Sequence, residues 1–129
     1  MKHIDVTAAV IEREGRFLIA KRKPGKHMEH KWEFPGGKIE PLETPGQCLL
    51  RELKEEFGIE TEIGDFMTES IFEYDDRIVR LLGYDVKYIS GDFELNDHSE
   101  IKWVFPHEFD QYDFAPADLP IIQKIISIY

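Results

Sequence analysis

Glu52, Glu55 and Glu56 recur at spacings i, i+3 and i+4, which sets three carboxylates on one flank of a helix. Crowded anions repel one another, and a helix surface offers them little relief. Closely spaced carboxylate oxygens are nevertheless the donors that a hard cation such as Mg²⁺ or Mn²⁺ takes. Glu40 and Glu43 arrive from the preceding loop and can add to the set. Arg51 stands beside the acids, where a guanidinium can orient carboxylates through forked hydrogen bonds. Gly37 lacks a side chain, so its backbone can approach an ion closely. By residue type alone, the triplet also reads as a solvated acidic helix face.

Charge distribution adds a second clue. Residues 21–38 gather six cations (Lys21, Arg22, Lys23, Lys26, Lys31 and Lys38) against only Glu29 and Glu33. The chain as a whole carries 16 basic and 26 acidic residues, a formal net charge of −10 and a pI near 4.9. An acidic chain repels a polymeric nucleic-acid backbone and an anionic membrane surface, so neither is expected as a partner. A small basic island beside a strongly acidic segment suits an anionic small molecule, held where cations and a metal meet. A solvated Lys-rich loop is the plain alternative.

The elements that position these groups follow from patterning. Residues 4–11 are mostly β-branched or small, Glu14-Gly15 marks a turn, and residues 17–20 resume an apolar run, which predicts a hairpin. A polar loop over residues 23–31 leads to a short strand, Trp32-Glu33-Phe34, that ends at the turn Pro35-Gly36-Gly37. Residues 44–57 form a helix, with Thr44 as N-cap, Pro45 in the first turn and Gly58 closing the end. Leu49, Leu50, Leu53 and Phe57 share its apolar arc. Residues 71–72 and 78–88 read as strands around an Asp75-Asp76-Arg77 turn, and residues 101–105 as another strand. Residues 117–128 complete the pattern as a helix with Ile121, Ile122, Ile125 and Ile126 on one face. Strands on both sides of a helix, with a second helix last, imply an α/β domain.

One domain spanning residues 1–129 accounts for a chain of this size, and 42% hydrophobic and 12% aromatic residues suffice for a core. Cys48 is the lone cysteine, so no intrachain disulfide forms and a reducing, cytoplasmic setting is expected. No targeting segment is apparent, and no apolar run approaches a membrane span.

Spacing ties the acidic cluster together. From Gly37 the chain reads five residues, Glu43, seven residues, then Arg51-Glu52-Leu53-Lys54-Glu55-Glu56-Phe57-Gly58-Ile59. This resembles the Nudix box, G-x5-E-x7-R-E-U-x-E-E-x-G-U with U apolar, at every specified position over residues 37–59. The resemblance implies the Nudix fold, an α/β/α sandwich with a mixed central sheet. It also implies hydrolysis of a nucleoside diphosphate linked to another group. The segment Phe34-Pro35-Gly36-Gly37-Lys38-Ile39-Glu40 is similar to the MutT-type branch. The segment Ala115-Pro116-Ala117-Asp118-Leu119-Pro120 is similar to the CTP pyrophosphohydrolase-like members.

What the resemblance implies for individual residues is specific. Glu52, Glu55 and Glu56 match positions that bind divalent cations, Mg²⁺ with Mn²⁺ as a substitute, and the Gly37 carbonyl matches a further ligand. Glu43 and Arg51 match supporting positions. Water substitutes at phosphorus, and for a nucleoside triphosphate the products are the monophosphate and pyrophosphate. The general base is either Glu52 or an acid in a loop before a strand Trp, for which Asp97, six residues before Trp103, is the candidate. Glu100 also lies near. A catalytically silent binding module would be expected to have lost box glutamates, and none is missing.

Substrate recognition lies outside the box. Arg22 matches a substrate-contacting Arg of the MutT branch, His27 a nearby binding position, and Lys38 joins them from the box loop. Phe34 and Trp32 can edge a nucleobase or fill the core. Asp118 stands where the oxidised-guanine sanitising members carry Asn. An ionised carboxylate only accepts hydrogen bonds, which suits the exocyclic amino group of cytosine and opposes O6 of 8-oxoguanine unless a proton is retained. Asp118 also suits an N-cap of the last helix. The expected substrate is therefore CTP, dCTP or a modified dCTP, with 8-oxo-dGTP as the alternative. ADP-ribose and dinucleoside polyphosphates fit less well, because the Pro or Tyr expected after their boxes is not cleanly present, although Tyr74 is close. A small nucleotide is the expected partner, and the assembly a monomer or homodimer.

Overall fold

The computed structural model describes residues Met1–Tyr129. Strands β1 (Lys2–Arg13) and β2 (Arg16–Arg22) form the opening hairpin, and β3 (Trp32–Glu33) follows the basic loop. Helix α1 (Pro45–Phe57) leads to β4 (Glu60–Glu73), β5 (Arg77–Ser90) and β6 (His98–Val104). Short 3-10 turns at Pro106–Gln111 and Pro116–Asp118 precede helix α2 (Leu119–Ile128). The sheet is mixed and six-stranded, ordered β3-β2-β1-β5-β4 with β6 also paired to β2. Strands β1 and β5 are parallel, whereas the β1–β2, β2–β3, β2–β6 and β4–β5 pairs are antiparallel.

Why β1 shows no polar alternation is now plain. Ala8 and Val10 pack on one face of the sheet with Phe17, Ile19, Phe34, Ile121 and Ile125. Ala9 and Ile11 pack on the other with Leu18, Leu49, Leu53 and Phe57. A strand covered on both faces reads as a continuous apolar run. Helix α1 therefore lies on one face and α2 on the opposite one, an α/β/α sandwich.

Helix α1 begins and ends where its cap residues dictate. The Gln47 N–H donates to Thr44 Oγ1 at 3.1 Å, and the Thr44 N–H donates to the Gln47 side chain at 2.9 Å. Gly58 closes the helix in the left-handed region (φ 69°), its N–H donating to the Lys54 carbonyl at 2.8 Å. Leu50 departs from the apolar arc expected of it and is exposed, because the helix turns Cys48 and Glu56 inward instead. Ile126 of α2 is likewise exposed.

Strands β4 and β6 begin earlier than patterning predicts. Strand β4 begins at Glu60 rather than residue 71, because a polar, acidic segment is carried by its ladder with β5. Strand β6 begins at His98. The tail helix starts at Leu119, after a 3-10 turn, rather than at residue 117.

Candidate active site

Beyond the β1–β2 hairpin the strands part, and residues 35–39 take the place of β2 beside β1. Ala9 N–H donates to the Pro35 carbonyl at 2.6 Å, Thr7 N–H to the Gly37 carbonyl at 2.8 Å, and Ile39 N–H to the Asp5 carbonyl at 3.0 Å. This strap lies so close to β1 that a Cβ on Gly36 would stand 2.0 Å from the Thr7 carbonyl oxygen. A Cβ on Gly37 would stand 2.3 Å from the carboxyl carbon of Glu52. The two glycines thus let a loop meet a strand on one side and a helix carboxylate on the other.

A cleft of about 390 Å³ opens beside this junction. Ile4, Val6, Val79, Leu81, Ala115 and Ala117 give it apolar walls. Glu33, Glu52, Glu56, Asp97 and Asp118 are its acids, and Lys2, Arg22, Lys38 and Arg77 its cations. His27, Phe34 and Gly37 also line it. Arg51, Glu43 and Glu55 do not.

Arg51 organises the box from behind. Its Nε and Nη2 donate to the two oxygens of Glu43 at 2.7 and 2.9 Å, its Nη1 donates to Glu52 at 2.8 Å, and Nη2 also reaches the Lys38 carbonyl at 3.1 Å. This fork holds the Glu43 carboxyl down at about 2 and raises the guanidinium. Burial pushes Glu52 up against the opposing pull of Arg51. Glu55 is exposed and stays near Arg51 at 3.4 Å.

Glu56 differs from its neighbours. It is 4% exposed, and its Oε2 is buried without a hydrogen-bond partner. Burial, then the charges of Glu33, Glu52 and Asp97, raise its proton affinity well above the ordinary carboxylate range. No three acidic, His or Cys side chains form a ready-made cage as they stand. The chemistry of the set still fits a hard cation, which would partner the orphaned buried oxygen of Glu56 and relieve its repulsion with Glu52. The Gly37 carbonyl, by contrast, already accepts the Thr7 N–H and turns toward β1.

Asp97 reaches the cleft because the loop before it clasps the end of α1. Glu94, Asn96 and the Asn96 side chain donate to the carbonyls of Phe57, Glu56 and Glu55 at 2.9, 3.2 and 3.0 Å. Burial raises the Asp97 carboxyl, but Lys26 at 2.7 Å outweighs it and leaves the group lowered.

At the apolar end, Asp118 occupies the N-cap position of α2 yet makes no cap hydrogen bond. Its Oδ2 accepts the Phe34 N–H at 2.8 Å across the fold, so the N-cap reading is corrected. Burial, then the charge of Glu33, raises its carboxyl well above the usual range. The Phe34 ring stacks on Phe114 at 5.6 Å and belongs to the core while also lining the cleft. Trp32 is core as well. Burial, with Arg77 and Arg22 nearby, lowers His27, whose Nε2 is buried without a partner.

Glu33 was not anticipated as a site residue. It pairs with Arg22 at 3.0 Å and with His98 at 2.8 Å and lines the cleft. Its position between two aromatics, as one of two acids in the basic segment, was the available signal. Tyr74 and Arg77, which the sequence offers only as a near-match to a family tyrosine and as part of a turn, line the cleft too.

Comparison with known proteins agrees with this architecture. A family model described as the NUDIX domain matches residues 1–125. The CTP pyrophosphohydrolase of Escherichia coli K12 is 39% identical over 99% of this chain and 95% of its own length. An 8-oxo-dGTP diphosphatase of Haemophilus influenzae is 34% identical over 98% of this chain and 93% of its own. The solution structure of the E. coli ORF135 protein superposes with a TM-score of 0.87 at 39% identity, over 99% of this chain and 91% of that one.

Proposed function

The chain belongs to the NUDIX family, and from that premise we propose a Mg²⁺-dependent nucleoside triphosphate pyrophosphohydrolase that favours CTP, dCTP or a modified dCTP. Nudix hydrolases act on phosphoric anhydrides in small nucleotides and use divalent metal ions. The finer reading rests on one observation: a buried carboxyl, Asp118, stands in the same cleft as the Glu52–Glu56 pair.

Glu52 and Glu56, with Glu55 beside them on α1, would hold the ion. The carbonyls of Pro35 and Gly37 accept from Ala9 and Thr7 of β1, so Gly37 supports the strap. A divalent ion bound there supplies neutralisation of phosphate charge and a more acidic water. Arg22, Lys38 and His27 bind the polyphosphate side of the substrate, while Phe34 and the apolar walls receive the base. Water substitutes at phosphorus and cleaves the anhydride to the nucleoside monophosphate and pyrophosphate, one of which takes the water oxygen. Glu52 or Asp97, both of which line the cleft, accepts the water proton. Glu43 and Arg51 keep Glu52 oriented.

The raised proton affinity of Asp118 supports a second reading. A protonated carboxyl both donates and accepts, as O6 and its neighbours in 8-oxo-dGTP require. The two are separated by kcat/KM for CTP, dCTP, 5-methyl-dCTP, 8-oxo-dGTP and ADP-ribose, with products identified. The cytidine nucleotides are expected to lead and to release pyrophosphate. An 8-oxo-dGTP value above them overturns the preference. Asp118→Asn should move selectivity toward 8-oxo-dGTP by about tenfold or more, the scale of one base-reading contact. Unchanged selectivity removes Asp118 from the base pocket.

A further inference from the structure

His98 is 2% exposed, and its ring lies flat against Phe57, with centroids 5.4 Å apart and planes 12° off parallel. One ring nitrogen, Nδ1, is buried without a partner. An apolar side chain of similar size would fill the space without leaving that atom unpaired, so packing alone does not account for an imidazole here. The other nitrogen, Nε2, stands 2.8 Å from Oε2 of Glu33. With hydrogen on Nε2, the ring donates to Glu33 and leaves only an acceptor unpaired.

Glu33 passes the constraint on. Its second oxygen, Oε1, accepts from Nη1 of Arg22 at 3.0 Å, and Nε of Arg22 donates to the His27 carbonyl. The guanidinium is thereby gripped on two edges at the wall of the cleft. Stacking on α1 sets the ring plane, the ring sets the carboxylate, and the carboxylate sets the arginine. Free of His98, Glu33 could turn both oxygens onto Arg22 and draw it from the substrate into a bidentate pair.

We propose that His98 is a positioning residue which, through Glu33, holds the Arg22 guanidinium in register for the polyphosphate of the substrate. This rests on the reading above that Arg22 contacts the nucleotide. Because Arg22 is placed to bind rather than to react, losing the constraint should raise KM and leave kcat nearly unchanged.

The test is steady-state kinetics of the full chain with Mg²⁺ on CTP and 8-oxo-dGTP, for His98→Gln, His98→Asn, Arg22→Gln and the double variant His98→Asn/Arg22→Gln. A Gln amide nitrogen reaches the place of Nε2, whereas Asn is too short, and both variants stay polar in the same pocket. His98→Asn should raise KM about tenfold, the scale of one charge-assisted hydrogen bond, with kcat within about twofold. His98→Gln should restore KM to within about threefold of the parent. The double variant should be no worse than Arg22→Gln alone, because both act through one guanidinium. Equal impairment by Gln and Asn, or additive losses in the double variant, overturns the proposal. A raised KM in Arg22→Gln beside an unchanged KM in His98→Asn overturns the positioning role alone. An unchanged KM in Arg22→Gln removes the nucleotide contact of Arg22 itself, and the proposal with it.

Discussion

Glu56 concentrates the electrostatic tension of the site in one carboxyl group. Its unpartnered oxygen and the surrounding acids leave the charged form without compensation. A carboxyl with raised proton affinity in the fold contributes stability that is fully present below its unfolded value and is lost as pH rises through the folded value. At neutral pH the metal-free protein therefore bears this penalty. Glu56→Gln should unfold at higher urea than the parent at pH 7.5 without metal, the gap closing below pH 4.5, while activity falls by on the order of 100-fold or more. Glu43 behaves oppositely. Held at about 2 by Arg51, it contributes stability above its ordinary value that is lost as pH falls through about 2. Glu43→Gln should show a shallower decline in urea midpoint between pH 4.5 and 2 than the parent.

At the scale of elements, the strap of residues 35–39 decides where the box meets the sheet. Gly36 and Gly37 look alike in sequence but face different neighbours. A Cβ at Gly36 would collide with backbone, the Thr7 carbonyl at 2.0 Å, which cannot yield without moving β1. A Cβ at Gly37 would meet the end of the Glu52 side chain, which can swing aside. Gly36→Ala should therefore lower the melting temperature markedly, by several degrees or more, as overpacking against a core strand does. Gly37→Ala should melt near the parent and lose kcat instead. Thermal melts and kinetics on the two variants separate these outcomes, and equal melting temperatures would contradict the strap geometry. The capping of α1 was legible in Thr44, Pro45 and Gly58 because caps are local chemistry. The early half of β4 was not, since its strand character comes from pairing with β5.

Across the whole molecule, two helices sandwich a mixed sheet, and the cleft lies beside the strap where β1 and β2 part. The chain bears a formal charge of −10, and the cleft holds five acids, Glu33, Glu52, Glu56, Asp97 and Asp118, against four cations, of which Arg22 and Arg77 are already paired with carboxylates. A ligand that binds only the folded state raises its stability by mass action. Millimolar MgCl₂ should raise the melting temperature by a few degrees beyond NaCl of matched ionic strength, for a gain of about 1–3 kcal/mol. EDTA should abolish both the shift and nucleotide hydrolysis. A shift reproduced by NaCl would mark general screening rather than a site.

The sequence by itself determined the family, the α/β class, the capped helix and the spacing of its acids. These follow from patterns within one element, where side-chain periodicity and cap chemistry act over a few residues. Only the tertiary structure decided what the acids and bases face. Residues distant in the chain met to make the Asp118 acceptor for Phe34 N–H, the Glu33 link between Arg22 and His98, and the buried, unpaired oxygen of Glu56. Each depends on burial and on partners brought from other elements, and a carboxyl group has no fixed proton affinity or role until that surrounding is assembled.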